Sequence, residues 1–370
     1  MLAYCASSPP LRICSPQSHH PTAHHPTAHH PTAHHPTDGG SVTTPFATTG
    51  NGTDAAVDVR LLVRAATMYH VEGMTQAKIA ERLGVSRATA GRLVSRAHAQ
   101  GLVTVSVSAP AHVALHPELE RDVERAFGLD EVVIVADEVD GGVLGNAALG
   151  QAAAPVLARR LGANDTFGFT WGPEQLAVAD ALTGGSCARV VQMDGSITSA
   201  NYHTGVDHTL AVFADRLGAQ PLRLVAPLYA DPATVAALHR DSIVSRALDA
   251  AAACDVMLFG VGSVSTSTTL FEGAFIDSAV LAELRELGAV GEIGGRFYDA
   301  EGAPVASTLV DRTVSVALDR VRACPASVLV SGGDPRHESI LGALRGGFAS
   351  IAVTDARTAR WLLDRQERRS

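Results

Sequence analysis

The 370-residue sequence predicts an α/β protein in two parts, a small winged helix-turn-helix head followed by a larger, Rossmann-like body built on a doubly wound parallel sheet. Three observations carry this. Residues 75–103, TQAKIAERLGVSRATAGRLVSRAHAQGLV, read as two short helices joined by a tight turn. Beyond residue 130, short continuous apolar runs alternate with helical patterns, as strands buried on both faces do. Charge is also divided. Residues 58–107 hold seven Arg or Lys against three Asp or Glu, a local +4 in a chain of net charge -9, so the remainder carries -13. A cationic head on an anionic body fits a nucleic-acid reader joined to an acidic sensor or enzyme.

Residues 1–56 are expected to be a disordered leader. Residues 19–37 repeat HHPTA, with proline too frequent for helix and no apolar face. Eight of the 16 histidines lie there, which leaves a metal-binding tail as the lesser alternative to a mistaken translation start or a recently expanded tract.

Residues 57–108 form the head. Leu61, Leu62, Ala65, Met68 and Tyr69 recur at helical spacing and predict a first helix over 58–71. Thr75 is a good N-cap, Ile79, Ala80 and Leu83 make an apolar stripe, and Gly84 supplies the left-handed residue that ends a helix. Ser86 caps the next helix, in which Ala90, Leu93, Val94 and Ala97 face the core and leave Arg87, Thr89, Arg92 and Arg96 outward. Guanidiniums and a hydroxyl on one exposed face suit phosphate and guanine-edge contacts. Thr75, Gln76 and Ser86, at the two helix starts, complete the candidate DNA-binding set. Gly101 ends that helix, and Leu102, Val103, Val105 and Val107 predict a strand or wing.

Residues 109–130 predict a linker helix, with Leu115, Leu119, Val123 and Phe127 on one stripe. In the body, residues 131–370, the strand candidates are VVIVA at 132, TFGFT at 166, RVVQM at 189, VMLFGVG at 256, SVLVSGG at 327 and SIAVTD at 350. Helical segments between and after them include 173–183, 234–253 and 355–366.

Ligands of such sheets sit outside the carboxyl ends of the strands. Four strands end in glycine loops there: Trp171-Gly172, Asp194-Gly195-Ser196, Gly260-Val261-Gly262-Ser263 and Gly332-Gly333-Asp334. Small residues let backbone amides and helix N-termini close on a phosphate or carboxylate. Arg296 and Arg336 are placed to add bidentate contacts. The GVG lacks dinucleotide spacing, so no nicotinamide cofactor is expected, and no other cofactor is indicated. His203, Asp207 and His208 offer no fourth ligand, so no metal site is expected.

Composition excludes several function classes. Lys78 is the only lysine, which rules out Schiff-base chemistry in the body. Cys5, Cys14, Cys187, Cys254 and Cys324 are far apart with no CxxC pair, suiting a reducing compartment. No run of 18 apolar residues exists and no export leader is recognisable, so a soluble cytoplasmic protein is expected. An enzyme reading needs a general base, for which Asp194, Asp255 and Glu292 are candidates.

From residue 58 to 368 the chain resembles the SorC family of bacterial transcriptional regulators. The likeness rests on MTQAKIAERLGVSRATAGRLVSRAHAQGLV, GFTWG, DVMLFGVGS, GAVGEIGGRFYDAEG and VSGGDPRHESILGALRGGFASIAVTDARTARWLL. It implies a winged helix-turn-helix reader fused to a sugar-binding domain similar to sugar-phosphate deaminases and isomerases. It also implies a homotetramer responding to a phosphorylated sugar or related carbohydrate. Gly172, Gly260 to Ser263, Arg296 and Gly332 to Arg336 fall on the family's effector-side blocks. Two departures stand out. Pro173 and Glu174 replace hydroxyl residues after WG, and Arg336 stands where lysine is usual. A phosphosugar is favoured over a neutral polyol, although Glu174 repels phosphate if it points inward. A sugar-phosphate isomerase or deaminase is the rival reading.

Overall fold

In the computed structural model the head is three helices, α1 (Val59–His70), α2 (Gln76–Leu83) and α3 (Arg87–Ala99). The structure describes residues 59–103, 115–136, 143–196, 205–266, 269–272 and 275–368. The HHPTA leader and the wing positions Val105 and Val107 lie outside them. The chain divides into two compact units after Val105.

The head forms as its sequence dictates. Thr75 Oγ1 accepts the Lys78 amide at 3.4 Å and Ser86 Oγ accepts the Thr89 amide at 3.1 Å, satisfying donors that a helix start leaves open. Gly84 closes α2 at φ 65°, a conformation that costs glycine nothing. Leu62, Ala65 and Met68 of α1 roof Ile79 and Ala80 of α2 and Ala90, Leu93, Val94 and Ala97 of α3, all buried.

The body has ten strands among the described residues: β1 (Glu131–Val135), β2 (Thr166–Phe169), β3 (Arg189–Gln192), β4 (Gln220–Leu222), β5 (Val256–Phe259), β6 (Gly262–Ser263), β7 (Ala289–Ile293), β8 (Arg296–Asp299), β9 (Ala326–Val330) and β10 (Ile351–Asp355). Its helices are α4 (Pro117–Phe127), α5 (Val143–Arg160), α6 (Pro173–Ala181), α7 (Val206–Leu217), α8 (Pro232–Leu238), α9 (Ser242–Ala252), α10 (Thr269–Glu272), α11 (Ser278–Glu286), α12 (Leu318–Ala323), α13 (His337–Arg345) and α14 (Ala356–Glu367). Seven strands form one sheet in the order β1-β10-β9-β5-β2-β3-β4, with every neighbouring pair parallel. Strands β6, β7 and β8 make a small antiparallel sheet.

Alternation along each strand feeds two apolar layers, one on each face. Val256, Leu258, Val328, Val330, Ile351 and Val353 meet α5, α6 and α7 on one face. Met257, Phe259, Leu329 and Ala352 meet α9, α12, α13 and α14 on the other. Gly168 is required by this packing: a Cβ there would lie 2.7 Å from Cys254 Sγ and 2.8 Å from Met193 Sδ.

Strand β1 is a sheet edge, and α4 covers it. Val123 is fully buried against α14, while Glu124 and Glu120 accept the edge amides of Val132 and Ile134 at 2.9 and 3.0 Å. These carboxylates satisfy donors that otherwise template strand addition.

Two expectations need correcting. The helical segment expected over 234–253 is divided in two, because Asp241 accepts the amides of Ile243 and Val244 at 2.8 and 3.2 Å and starts α9 afresh. The alternation of apolar runs with helical patterns does not include the antiparallel hairpin over 289–299. The order of strands also defines a switch point: β3 and β4 lie outward from β2, whereas β9 and β10 lie outward from β5. The crevice of such a sheet opens where these directions part, at the carboxyl ends of β2 and β5.

Candidate functional site

The head presents the candidate DNA-binding residues on α3 and the helix starts. Arg87, Arg92 and Arg96 are exposed, opposite the buried Ala90, Leu93, Val94 and Ala97. Ser86, Thr89 and Arg92 are linked: Thr89 Oγ1 lies 2.8 Å from Ser86 Oγ and accepts Arg92 Nη2 at 3.3 Å. Thr75 is exposed, and half-buried Gln76 lies over Gly91, where a Cβ would come 3.2 Å from its Oε1. One pair escaped the sequence reading: His70 and His98, at the ends of α1 and α3, with Nε2 atoms 3.0 Å apart.

In the body, the loops after β2 and β5 meet at the switch point around Gln175. A Cβ on Gly260 would lie 3.1 Å from Gln175 Nε2, and one on Gly172 would overlap its Oε1. Gln175 is 1% exposed, and its Nε2 has no hydrogen-bond partner among the described residues. The buried hydroxyls of Ser331, after β9, and Ser315 are likewise unpartnered. A buried donor left without partner costs roughly 1–3 kcal/mol, which a polar ligand relieves.

Glu174 points inward. Its side chain is 5% exposed and its Oε1 lies 3.0 Å from Arg336 Nη2, after β9. Arg336 Nη1 also donates to Gly332 O at 3.4 Å.

Several of the strand-end amides are already occupied by the protein's own carboxylates. Trp171 N donates to both oxygens of Asp194, at 3.1 and 3.2 Å. Glu292 accepts the Gly295 amide at 2.7 Å and the Gly262 amide as well. Asp355, the N-cap of α14, accepts Gly333 N at 2.8 Å and Thr358 N at 2.9 Å. Asp194, Thr170 and Ser315 converge on Gly294, whose Cβ would lie 3.3 Å from the Cβ of Asp194. Burial pushes the Asp194 carboxyl up to about 8, the Trp171 amide opposing this and the Glu292 charge adding to it. Burial also raises Glu292, against the pull of the Gly295 and Gly262 amides and the Arg336 charge. At neutral pH Asp194 is therefore mostly a carboxylic acid, able to donate as well as accept.

Other expected residues are engaged in contacts within the fold. Arg296 spends its guanidinium on carbonyls, donating to Val316 O at 3.0 Å, Ser315 O at 2.9 Å and Thr313 O at 3.4 Å, beside a cavity of ≈ 230 Å³. It clamps the 313–316 segment. Gly195 donates to Val314 O at 2.8 Å and packs where a Cβ would collide with Pro227. Ser263 Oγ lies 3.1 Å from Ser265 Oγ. Gly332 makes room for the Asp355 carboxylate. Asp255 stands just before β5, at the opposite end of the sheet, where it accepts the Thr166 amide at 2.9 Å.

Residues missed from sequence are Gln175, Gln192, Tyr229 and Asp355. Gln192 bridges the Asp194 carbonyl (2.6 Å) and the Leu224 amide (3.3 Å), and the Tyr229 hydroxyl donates to Gly295 O at 2.9 Å. Only Gln175 carried a signal, as a polar residue in the first turn after a glycine loop. His203 lies outside the described residues, Asp207 pairs with Arg223 at 2.7 Å, and no group of three metal ligands occurs among the described residues. Cys187, Cys254 and Cys324 are buried free thiols.

The family model Sugar-bind, a sugar-binding domain, matches residues 112–364, and the MarR family model matches residues 65–112. The chain is 30% identical over 308 residues to the deoxyribonucleoside regulator of Bacillus subtilis, covering 82% of this chain and 97% of that one. It is 30% identical over 322 residues to the sorbitol operon regulator of Klebsiella pneumoniae, covering 83% and 98%. The crystal structure of full-length SorC from Klebsiella pneumoniae superposes with TM-score 0.63 at 28% identity, over 83% of this chain and 99% of that one. A helix-turn-helix head followed by a sugar-binding body defines a sugar-responsive, DNA-binding transcriptional regulator. The chain belongs to the SorC family of such regulators.

Proposed function

We propose that this regulator binds a palindromic operator through Arg87, Thr89, Arg92 and Arg96, with Thr75, Gln76 and Ser86 anchoring the helix starts on phosphate. A carbohydrate, phosphorylated or free, shifts operator occupancy by binding at the switch point, among Gly172, Asp194, Gly260, Gly262, Gly332, Gly333 and Arg336. Gly195, Ser263 and Arg296 support that site through the segments they hold. The protein works as a cytoplasmic homotetramer whose paired heads meet half-sites about 10 base pairs or a multiple apart. Among the described residues no helix is long and apolar enough to cross a membrane. The effector acts because it favours one arrangement of the subunits; a ligand held equally by both does nothing.

The observation that carries this reading is the arginine face of α3 opposite its buried alanine and leucine face. Turnover is disfavoured by the state of the acidic candidates, since Asp194 and Glu292 hold backbone amides and Asp255 stands at the far end of the sheet. The test is retention of genomic fragments by the full chain. Wild type retains a discrete set, and Arg87→Ala, Arg92→Ala and Arg96→Ala together lose it. If each arginine meets one phosphate, the salt slope of the triple variant falls by about 3. Equal retention of every fragment by wild type and triple variant refutes the assignment.

A further inference from the structure

Building on the reading of a carbohydrate-responsive regulator, we infer that the effector is an uncharged polyhydroxylated molecule, a free sugar or polyol, and that Glu174 excludes phosphate esters from the site. The glycine loops that suggest a phosphate cradle are largely filled from within. Glu292 takes the Gly262 and Gly295 amides, Asp355 takes Gly333, and Asp194 takes Trp171. Arg336, the cation turned toward these loops, is paired with Glu174 at 3.0 Å. The other candidate cation, Arg296, is committed to three carbonyls. A phosphate entering here has to displace a carboxylate that is almost wholly buried, and it then faces Glu292 next to the same arginine.

What remains for a ligand has a different chemistry. Gln175 Nε2 and the hydroxyls of Ser331 and Ser315 are buried and unpartnered. The Asp194 carboxyl, which both donates and accepts, together with an amide and hydroxyls matches the paired donor and acceptor capacity of vicinal diols. They offer no net positive charge to a phosphate. Glu174, in the first turn of α6, sets a negative charge 3.0 Å from the Arg336 guanidinium and so cancels the positive charge that a phosphate would need.

The test uses the full chain, with thermal stability and calorimetry as readouts. The probes are inorganic phosphate and matched pairs, each a pentose, hexose or polyol beside its own phosphate ester: ribose, glucose, xylitol and glucitol. Wild type shows no stabilisation by inorganic phosphate or by any ester beyond that of its free partner. Glu174→Gln, which keeps the shape, gains at least tenfold in affinity for inorganic phosphate, and Glu174→Ser gains it as well. The gain disappears in Glu174→Gln combined with Arg336→Met. A wild type that prefers an ester to its free partner overturns the inference, as does failure of both Glu174 variants to gain phosphate binding, whatever the free sugars do. Operator binding is measured alongside. Its absence from wild type refutes the regulator reading, whereas an ester-binding wild type that still holds DNA refutes only the effector class.

Discussion

Replacing Asp194 by asparagine should abolish a specific part of the pH dependence of folding. The Asp194 carboxyl is 3% exposed and titrates at about 8 in the fold against 3.8 when free. Between those values the folded chain retains a proton that the unfolded chain has released, so stability falls as pH rises. The penalty is absent below about pH 4 and complete above about pH 8. Its slope inside the window is about 1.4 kcal/mol per pH unit, so the Asn variant should gain about 3 kcal/mol on wild type between pH 5 and 7. Asparagine keeps an acceptor for the Trp171 amide, so the comparison isolates the charge. Glu292, also raised by burial, contributes its slope to both proteins. Urea unfolding followed by Trp171 and Trp361 fluorescence at pH 5, 6 and 7 reads the difference. Parallel pH profiles for the two proteins would refute the buried, protonated state of Asp194.

Three further outcomes follow from the same structure. Glu120→Ala with Glu124→Ala removes both charged acceptors from the edge of β1. At about 1.5–3 kcal/mol for each bond, unfolding should come about 3–6 kcal/mol easier and light scattering should rise, because the edge amides lose their acceptors. Arg92→Ala should weaken operator binding by about 1–3 kcal/mol if its guanidinium reads a base, checked by fluorescence anisotropy on one operator and its base-substituted variants. Gln175→Leu removes a buried amide nitrogen that has no partner among the described residues, so the unliganded protein should keep its melting temperature or gain a little. The stabilisation by the effector should be lost, and a large drop without ligand would show that Gln175 serves the fold.

The parts legible in the sequence are those where a local rule suffices. Thr75, Gly84 and Ser86 cap their helices as the sequence predicts, and the period of Ala90, Leu93, Val94 and Ala97 defines the buried face of α3. The apolar runs at 132, 166, 189, 256, 327 and 350 are strands because burial on both faces leaves no alternation to misread. Helix α5 was hidden by alanine and glycine, which show no polar face, although Gly150 is needed where α5 meets α6: a Cβ there would overlap the Ala177 backbone. The hairpin of β7 and β8 was hidden because GAVGEIGGRFYD mixes glycine with single apolar residues. At the site, strand-end glycines located the place, but the partners of their amides come from 22 to 25 residues away in Asp355 and Thr358. Arg296 looked like a ligand for the same reason: a sequence shows a charge without showing three carbonyls waiting for it. Whether Glu174 faced inward was decided by Arg336, 162 positions further on in the chain, which no local pattern reveals.

The most direct test of the account is the affinity of the full chain for its own selected operator, measured with and without a free sugar or polyol that has been shown to bind by calorimetry. Saturating ligand should change the operator dissociation constant at least fivefold, and Gln175→Leu should retain operator binding while losing the change. An unaltered dissociation constant in the presence of bound ligand would contradict it.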